Sequence, residues 1–259
     1  MPKFAVNLSM LFTELPLIER FSAAKAAGFD QVEIQFPYEL SISQIQQQLE
    51  HNNQQLILIN LPAGDWATGE RGIACHADRQ AEFEQGVTLA LEYACALNVP
   101  QINCLAGIRP AEQSQADTRS TLLQNLTYAA SLLEKPGIKL LIEAINTQDI
   151  PGFWLNSSHQ AFEMIQKLDK LNIAFQYDVY HMQIMEGDLI NTLRTHIDQI
   201  AHIQIADVPG RHEPGTGEIN FPNLFKALDA VGYSGFISLE YNPAGQTVDG
   251  LHWLSQMEL

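Results

Sequence analysis

The protein has 259 residues, of which 46% are hydrophobic and 17% charged, and its 14 lysines and arginines against 30 aspartates and glutamates give a net charge of −16. This composition is typical of a globular chain and excludes an extensively disordered one. It also argues against nucleic acid and anionic membrane surfaces as partners, because both require a basic face. No apolar run approaches the ~18 residues of a membrane span, so we expect no membrane association.

The cysteine pattern indicates a reducing environment. Cys75, Cys95 and Cys104 form no C-x-x-C pair and no even-numbered disulfide framework. Cys95 and Cys104 lie in apolar stretches, so we expect both to fill the core. This usage predicts a cytoplasmic protein.

Strands and helices are predicted to alternate along the chain. In chain order, strands are expected at residues 4–11, 31–36, 55–61, 101–106, 139–145, 173–179, 200–206 and 236–241. The helices that follow them are expected at residues 16–27, 42–52, 79–97, 118–133, 158–168, 189–197, 221–231 and 248–256. The repeat is about thirty residues long, which is the size of a βα unit.

This alternation predicts an α/β fold with a parallel sheet and right-handed crossovers. Eight units in this length favour a single (β/α)8 TIM barrel, with an open doubly wound sheet as the alternative. No linker divides the chain, so we expect one domain over residues 1–259. No glycine-rich nucleotide-binding motif follows the first strand, so no nucleotide cofactor is expected.

Four polar residues lie late in predicted strands five to eight: Glu143, Asp178, Gln204 and Glu240. Active sites of TIM barrels lie at the carboxyl ends of the strands, so we expect these side chains on one rim. Three carboxylates there would repel one another unless a cation lies among them. Oxygen ligands favour Mg²⁺ or Mn²⁺ over zinc. For each residue alone, the alternative is pairing with a nearby lysine or arginine, or capping of the next helix.

Two histidines follow the same strands. His181 lies three residues after Asp178, and His202 lies on the same side of its strand as Gln204. Both are candidates for substrate binding, and His181 could also orient a metal ligand. The alternative for each is a hydrogen-bonded core histidine.

Two glycine-rich loops, residues 62–73 and 209–220, follow predicted strands three and seven. Each contains one arginine, Arg71 and Arg211 respectively, and an arginine fork is suited to a substrate carboxylate. Glu70 is either the partner of Arg71 or a further substrate contact. Ordinary salt bridging within the loops is the alternative.

At these residues the sequence resembles the hydroxypyruvate isomerase family of the xylose isomerase-like TIM barrels. The resemblance runs nearly end to end and is most specific at residues 7–12, 60–75, 149–153, 177–183 and 213–220. It implies two catalytic glutamates, Glu143 and Glu240, and a divalent-metal site at Glu143, Asp178, Gln204 and Glu240. The related 2-oxo-tetronate isomerases share these four residues, but residues 65–75 and 149–153 look closer to hydroxypyruvate isomerases.

The implied reaction interconverts hydroxypyruvate and tartronate semialdehyde by proton transfer through an enediolate. The substrate would be a small anionic hydroxy- or oxo-acid. The alternatives are a 2-oxo-tetronate isomerase, a lyase or dehydratase on the same barrel, and a non-catalytic binding protein. DNA-repair endonucleases of the wider superfamily tend to have histidine where Gln204 stands, which argues against that branch. The loop around Trp66 could belong to a lid or to an interface between copies, so a homo-oligomer stays open.

Overall fold

The computed structural model describes residues 2–170 and 172–256. Its eight strands close into one barrel in the order β1 to β8, which confirms the predicted TIM barrel. The strands are Lys3–Asn7 (β1), Gln31–Ile34 (β2), Gln55–Asn60 (β3), Gln101–Cys104 (β4), Lys139–Glu143 (β5), Ile173–Asp178 (β6), Ile200–Ile205 (β7) and Phe236–Leu239 (β8).

The helices follow the predicted alternation. They are Leu17–Ala26 (α1), Ile42–Asn52 (α2), Gln80–Leu97 (α3), Gln115–Glu134 (α4), Ser158–Leu168 (α5), Val179–Met185 (α6), Leu189–His196 (α7), Phe221–Ala230 (α8), Thr247–Gly250 (α9) and Trp253–Gln256 (α10). Short 3₁₀ turns lie at Pro37–Glu39, Trp66–Thr68, Ala77–Arg79 and Ile197–Gln199. Within the described residues, no helix has both the length and the apolar character to cross a bilayer.

The structure differs from the predicted elements mainly at their ends. The first strand stops at Asn7 instead of residue 11, because the backbone N–H of Leu11 turns back to the carbonyl of Asn7 at 2.9 Å while its apolar side chain stays buried. Helix α6 was not predicted, and Asp178 caps its start. The predicted helix at residues 248–256 is two short helices, α9 and α10.

Two compact units can be distinguished by their internal packing: Met1–Ile57 with Tyr177–Leu259, and Leu58–Gln176. In the first unit, β1 pairs in parallel with both β2 and β8. The ring of Phe4 packs edge-on against Phe225 at 5.5 Å and Trp253 at 5.6 Å between ring centroids. These contacts attach helices α8 and α10 to the outer side of β1.

In the second unit, β4 pairs in parallel with β3 and β5. The ring of Phe162 on α5 packs edge-on against Phe175 on β6, with 5.3 Å between centroids. Every residue of β6 is buried, as expected for a parallel strand with both faces covered. Polar side chains on such a strand must therefore find partners inside the protein.

The three cysteines of the second unit are free, with Cys75 and Cys104 buried and Cys95 exposed. The expectation that Cys95 fills the core is therefore wrong, because its position on α3 faces outward. Burial raises the pKa of Cys75 to about 12, so its reactive thiolate is scarce at neutral pH.

We expect Ellman's reagent to modify one thiol rapidly in the native protein and all three after unfolding in guanidinium chloride, since only Cys95 is accessible. A Cys95→Ser variant should lose the rapid phase. Rapid modification of a second native thiol would contradict the burial of Cys75 and Cys104.

Candidate active site

The four residues predicted as metal ligands lie at the carboxyl ends of their strands. Glu143 ends β5, Asp178 ends β6, Gln204 is the last residue but one of β7, and Glu240 directly follows β8. Each is at most 5% exposed. In TIM barrels this end of the strands holds the active site.

In the second unit, two amides hold the carboxylate of Glu143. Asn103 on β4 donates a hydrogen bond to Oε2 at 2.7 Å, and Gln176 on β6 donates to the same oxygen at 3.0 Å. Glu143 and Gln176 are direct partners in the β5–β6 register, so their side chains share one face. Neither amide was predicted from the sequence, although each is a polar residue in an apolar strand, the same signal that identified Glu143.

In the first unit, Asp178 and His181 lie one helical turn apart. Oδ1 of Asp178 accepts a hydrogen bond from the backbone N–H of Tyr180 at 2.8 Å, and Nε2 of His181 lies 3.4 Å from Oδ2. Burial raises the pKa of Asp178, while the charge of Arg211 acts in the opposite direction. Burial and Arg211 hold the pKa of His181 well below its usual value, so its imidazole is neutral at neutral pH.

Glu240 contacts donors on both oxygens. Oε1 accepts hydrogen bonds from Nδ2 of Asn7 at 3.0 Å and from Nε2 of Gln35 at 2.6 Å. Oε2 accepts one from the guanidinium of Arg211 at 3.0 Å, and the same nitrogen lies 3.6 Å from Oδ2 of Asp178. The structure therefore brings three of the predicted residues together, because Arg211 lies between the carboxylates of Asp178 and Glu240.

The loop that holds Arg211 folds around the buried carboxylate of Asp207. This carboxylate accepts hydrogen bonds at 2.8–3.1 Å from four backbone N–H groups, those of Val208, Gly215, Gly217 and Ile219. A Cβ on Gly217 would lie 2.0 Å from the carbonyl oxygen of Val208, so glycine is required there. The guanidinium of Arg211 also lies over the ring of Tyr180, 5.1 Å from its centroid. Asp207 was not among the residues predicted from the sequence.

A further buried carboxylate, Glu33 on β2, was also missed. Its Oε1 accepts hydrogen bonds from Nε2 of Gln204 at 2.8 Å and Nδ2 of Asn7 at 2.9 Å, and its Oε2 lies 2.8 Å from Nε2 of His202. His202 is therefore bonded to a carboxylate of the barrel interior, and its substrate contact stays a prediction. An acidic residue within the apolar run Val-Glu-Ile of β2 was the available signal.

Glu70 and Arg71 contact their own loop in the second unit. Glu70 forms an ion pair with Arg79, which lowers the pKa of Glu70, and it accepts a hydrogen bond from the backbone N–H of Asp65 at 2.5 Å. Arg71 donates to the carbonyl oxygen of Trp66 at 3.1 Å, and its guanidinium lies 4.1 Å from the centroid of that ring. These contacts agree with the alternative of ordinary salt bridging within the loop. Substrate binding by Glu70 or Arg71 stays a prediction.

The donor set fits a divalent metal. In the first unit, Asp178 and His181 are buried, and each offers one atom that could bind a metal ion. Oδ2 of Asp178 is buried and accepts no hydrogen bond within residues 2–170 and 172–256. A buried carboxylate oxygen is costly unless a cation lies close to it, and Arg211 at 3.6 Å already supplies one positive charge, so this oxygen is compatible with a metal ion but does not require one. Asp178 is one of the four predicted ligands, whereas His181 was predicted to contact substrate or to orient a ligand.

Residues 21–257 match the xylose isomerase-like TIM barrel family. The chain is 49% identical over 254 residues to a hydroxypyruvate isomerase of Escherichia coli and 44% identical over 254 residues to a 2-oxo-tetronate isomerase of Cupriavidus necator, with 98% of each chain covered in both cases. A solved structure of an AP endonuclease, family 2, from Brucella melitensis is 41% identical, with a TM-score of 0.96 and 99% of each chain covered. The chain therefore belongs to the xylose isomerase-like TIM barrel family, in the branch that contains hydroxypyruvate isomerases.

Proposed function

We propose that this protein is a hydroxypyruvate isomerase that interconverts hydroxypyruvate and tartronate semialdehyde. The main support is the pair of buried carboxylates, Glu143 and Glu240, at the ends of β5 and β8 in a chain 49% identical to a hydroxypyruvate isomerase. Converting one compound into the other moves a hydrogen from one carbon to the adjacent carbon. A carboxylate beside each carbon is suited to moving that hydrogen as a proton.

Glu143 and Glu240 are assigned as the acid/base pair. One glutamate removes a proton from the hydroxymethyl carbon, which leaves an enediolate, and a proton is then delivered to the neighbouring carbon. The hydroxyl proton of the first carbon ends on the oxygen of the second. Neutral His181 is suited to move this proton, because an uncharged imidazole has one donor and one acceptor nitrogen.

Arg211 is assigned to the substrate carboxylate. Its guanidinium already bonds Glu240 at 3.0 Å, so a carboxylate bound on its other N–H groups would lie beside that glutamate. Arg71 is the weaker candidate, because its guanidinium contacts Trp66 and the backbone of its own loop.

A divalent metal, either Mg²⁺ or Mn²⁺, is proposed to bind Glu143, Asp178, Gln204 and Glu240, while His181 stays uncoordinated and keeps both ring nitrogens for proton transfer. When bound, the metal polarises the substrate carbonyl and stabilises negative charge on its oxygen. Coordination makes a glutamate a poorer base. Asp178 and Gln204 are therefore the ligands that we expect to bind throughout, while Glu143 and Glu240 exchange protons.

We expect NMR of the purified protein with hydroxypyruvate in D₂O to show tartronate semialdehyde with deuterium at the carbon that receives the proton. EDTA should abolish the signal, and Mg²⁺ or Mn²⁺ should restore it. A sample without protein controls for spontaneous exchange. If the protein converts no hydroxypyruvate either with or without EDTA, hydroxypyruvate is not its substrate.

Four-carbon sugar acids are the second candidate substrates, because the chain is 44% identical to a 2-oxo-tetronate isomerase. The kcat/KM values for 2-oxo-tetronate and for hydroxypyruvate are compared, and the compound with the higher value is the preferred substrate. A lyase or dehydratase would release water, so the product mass separates it from an isomerase. A non-catalytic binding protein would bind either acid without turnover.

Nucleic acid is tested separately, because a relative at 41% identity is described as an AP endonuclease. We propose that this chain does not act on DNA, since its net charge is −16 and Gln204 offers an amide where a zinc site would favour histidine. Nicking of an abasic duplex would contradict this. One domain, a cytoplasmic location and a homo-oligomer are further proposals, and light scattering tests the last of them.

A further inference from the structure

The carboxylate of Glu33 is the hydrogen-bond partner of two residues near the candidate active site. It is fully buried on β2 and accepts hydrogen bonds from Gln204 on β7 and Asn7 on β1. Nε2 of His202 lies 2.8 Å from its second oxygen. Both amides therefore donate an N–H group to the same oxygen of Glu33.

The first consequence concerns the amide of Gln204. An amide can bind a cation only through its oxygen, because its nitrogen carries two hydrogens. Glu33 holds Nε2 of Gln204 at 2.8 Å, which directs the oxygen Oε1 away from Glu33. Without an acceptor at position 33, the amide could turn over and present N–H groups to a cation.

The second consequence concerns Glu240. Nδ2 of Asn7 donates to Oε1 of Glu33 at 2.9 Å and to Oε1 of Glu240 at 3.0 Å, while Oδ1 of Asn7 accepts a hydrogen bond from the backbone N–H of Ser9 at 2.8 Å. The Asn7 amide is thus fixed at both ends. Through it, Glu33 also sets the position of Glu240.

We infer that Glu33 is a positioning residue, which orients the oxygen of Gln204 for a divalent cation and holds Asn7 against Glu240. This role rests on the metal site of the proposed function. Residues that orient metal ligands typically change metal affinity by about 10–100-fold when they are replaced.

Calorimetric titration of the metal-free protein with MnCl₂ tests this role. We expect Glu33→Leu to weaken Mn²⁺ binding by about 10–100-fold, because leucine accepts no hydrogen bonds. Saturating Mn²⁺ should restore part of kcat, which a purely structural defect would not allow, and the rest of the loss reflects the displaced Glu240. The matched control is Glu163→Leu, the same change at a half-buried carboxylate on α5 that bonds Arg119 at 2.7 Å, and it should bind Mn²⁺ like the wild type.

The double variant Glu33→Gln with Gln204→Glu exchanges the two groups. The amide now at position 33 can donate to the carboxylate at position 204, so an oxygen again faces the cation. We expect this variant to bind Mn²⁺ at least about tenfold more tightly than Gln204→Glu alone, in which the carboxylates at positions 33 and 204 face each other.

Mn²⁺ affinity of Glu33→Leu within about twofold of the wild type would overturn the inference. So would a folded double variant that binds no more tightly than Gln204→Glu alone. If Glu33→Leu does not fold, the double variant decides, because tighter binding than in Gln204→Glu supports the role and equal or weaker binding in a folded protein refutes it. If the wild type binds no Mn²⁺, the metal site itself fails and the positioning role with it.

Discussion

Replacement of Glu143 or Glu240 by glutamine is expected to lower the turnover of hydroxypyruvate by about 10²–10⁴-fold, the usual contribution of general acid–base catalysis. Glutamine has nearly the same shape but cannot accept the substrate proton. The neighbouring amides can turn to bond the new side chain, so we expect the fold to persist. The measurement is kcat, with circular dichroism and Tm recorded on the same samples.

Glu163→Gln is the matched control for these two variants, because Glu163 lies on α5, where its half-buried carboxylate bonds Arg119. It should keep the wild-type kcat. Deuterium exchange into hydroxypyruvate without product would show which of the two glutamates removes the first proton. If both variants turn over at rates close to that of the wild type, the acid/base assignment is wrong.

Replacement of Arg211 by lysine is expected to lower kcat/KM by about 10²-fold, mainly through KM. A lysine keeps the positive charge but loses the planar fork that can bond a substrate carboxylate and Glu240 together. A hydrogen bond between charged groups is worth about 1.5–3 kcal/mol, which corresponds to this loss in affinity. Steady-state kinetics with hydroxypyruvate provide the measurement.

Arg71→Lys provides the comparison for Arg211. Because Arg71 contacts the ring and carbonyl of Trp66, we expect its replacement to change kcat/KM far less. Arg119→Lys, at the half-buried ion pair with Glu163 on α5, controls for the general effect of the substitution. A larger loss of kcat/KM in Arg71→Lys than in Arg211→Lys would instead assign the substrate carboxylate to the loop at residues 62–73.

Much of the fold follows from local sequence patterns. Apolar runs with β-branched residues predict the strands, and helix bounds are accurate where a cap is strong, as at Ser41 for α2 and Ser157 for α5. The error at α4 has the same physical basis: Ser114 caps a helix that begins three residues earlier than its apolar pattern. Strand ends were placed too late because apolar residues continue past the last strand hydrogen bond.

The sequence by itself determined the barrel and the positions of Glu143, Asp178, Gln204 and Glu240, because polar residues at the ends of apolar strands can be recognised without knowing their neighbours. Only the tertiary structure decided which side chains hold them. Asn7 and Glu240 are 233 residues apart, and Gln204 and Glu33 are 171 apart. The closed barrel makes such distant residues neighbours, and no local pattern contains that information.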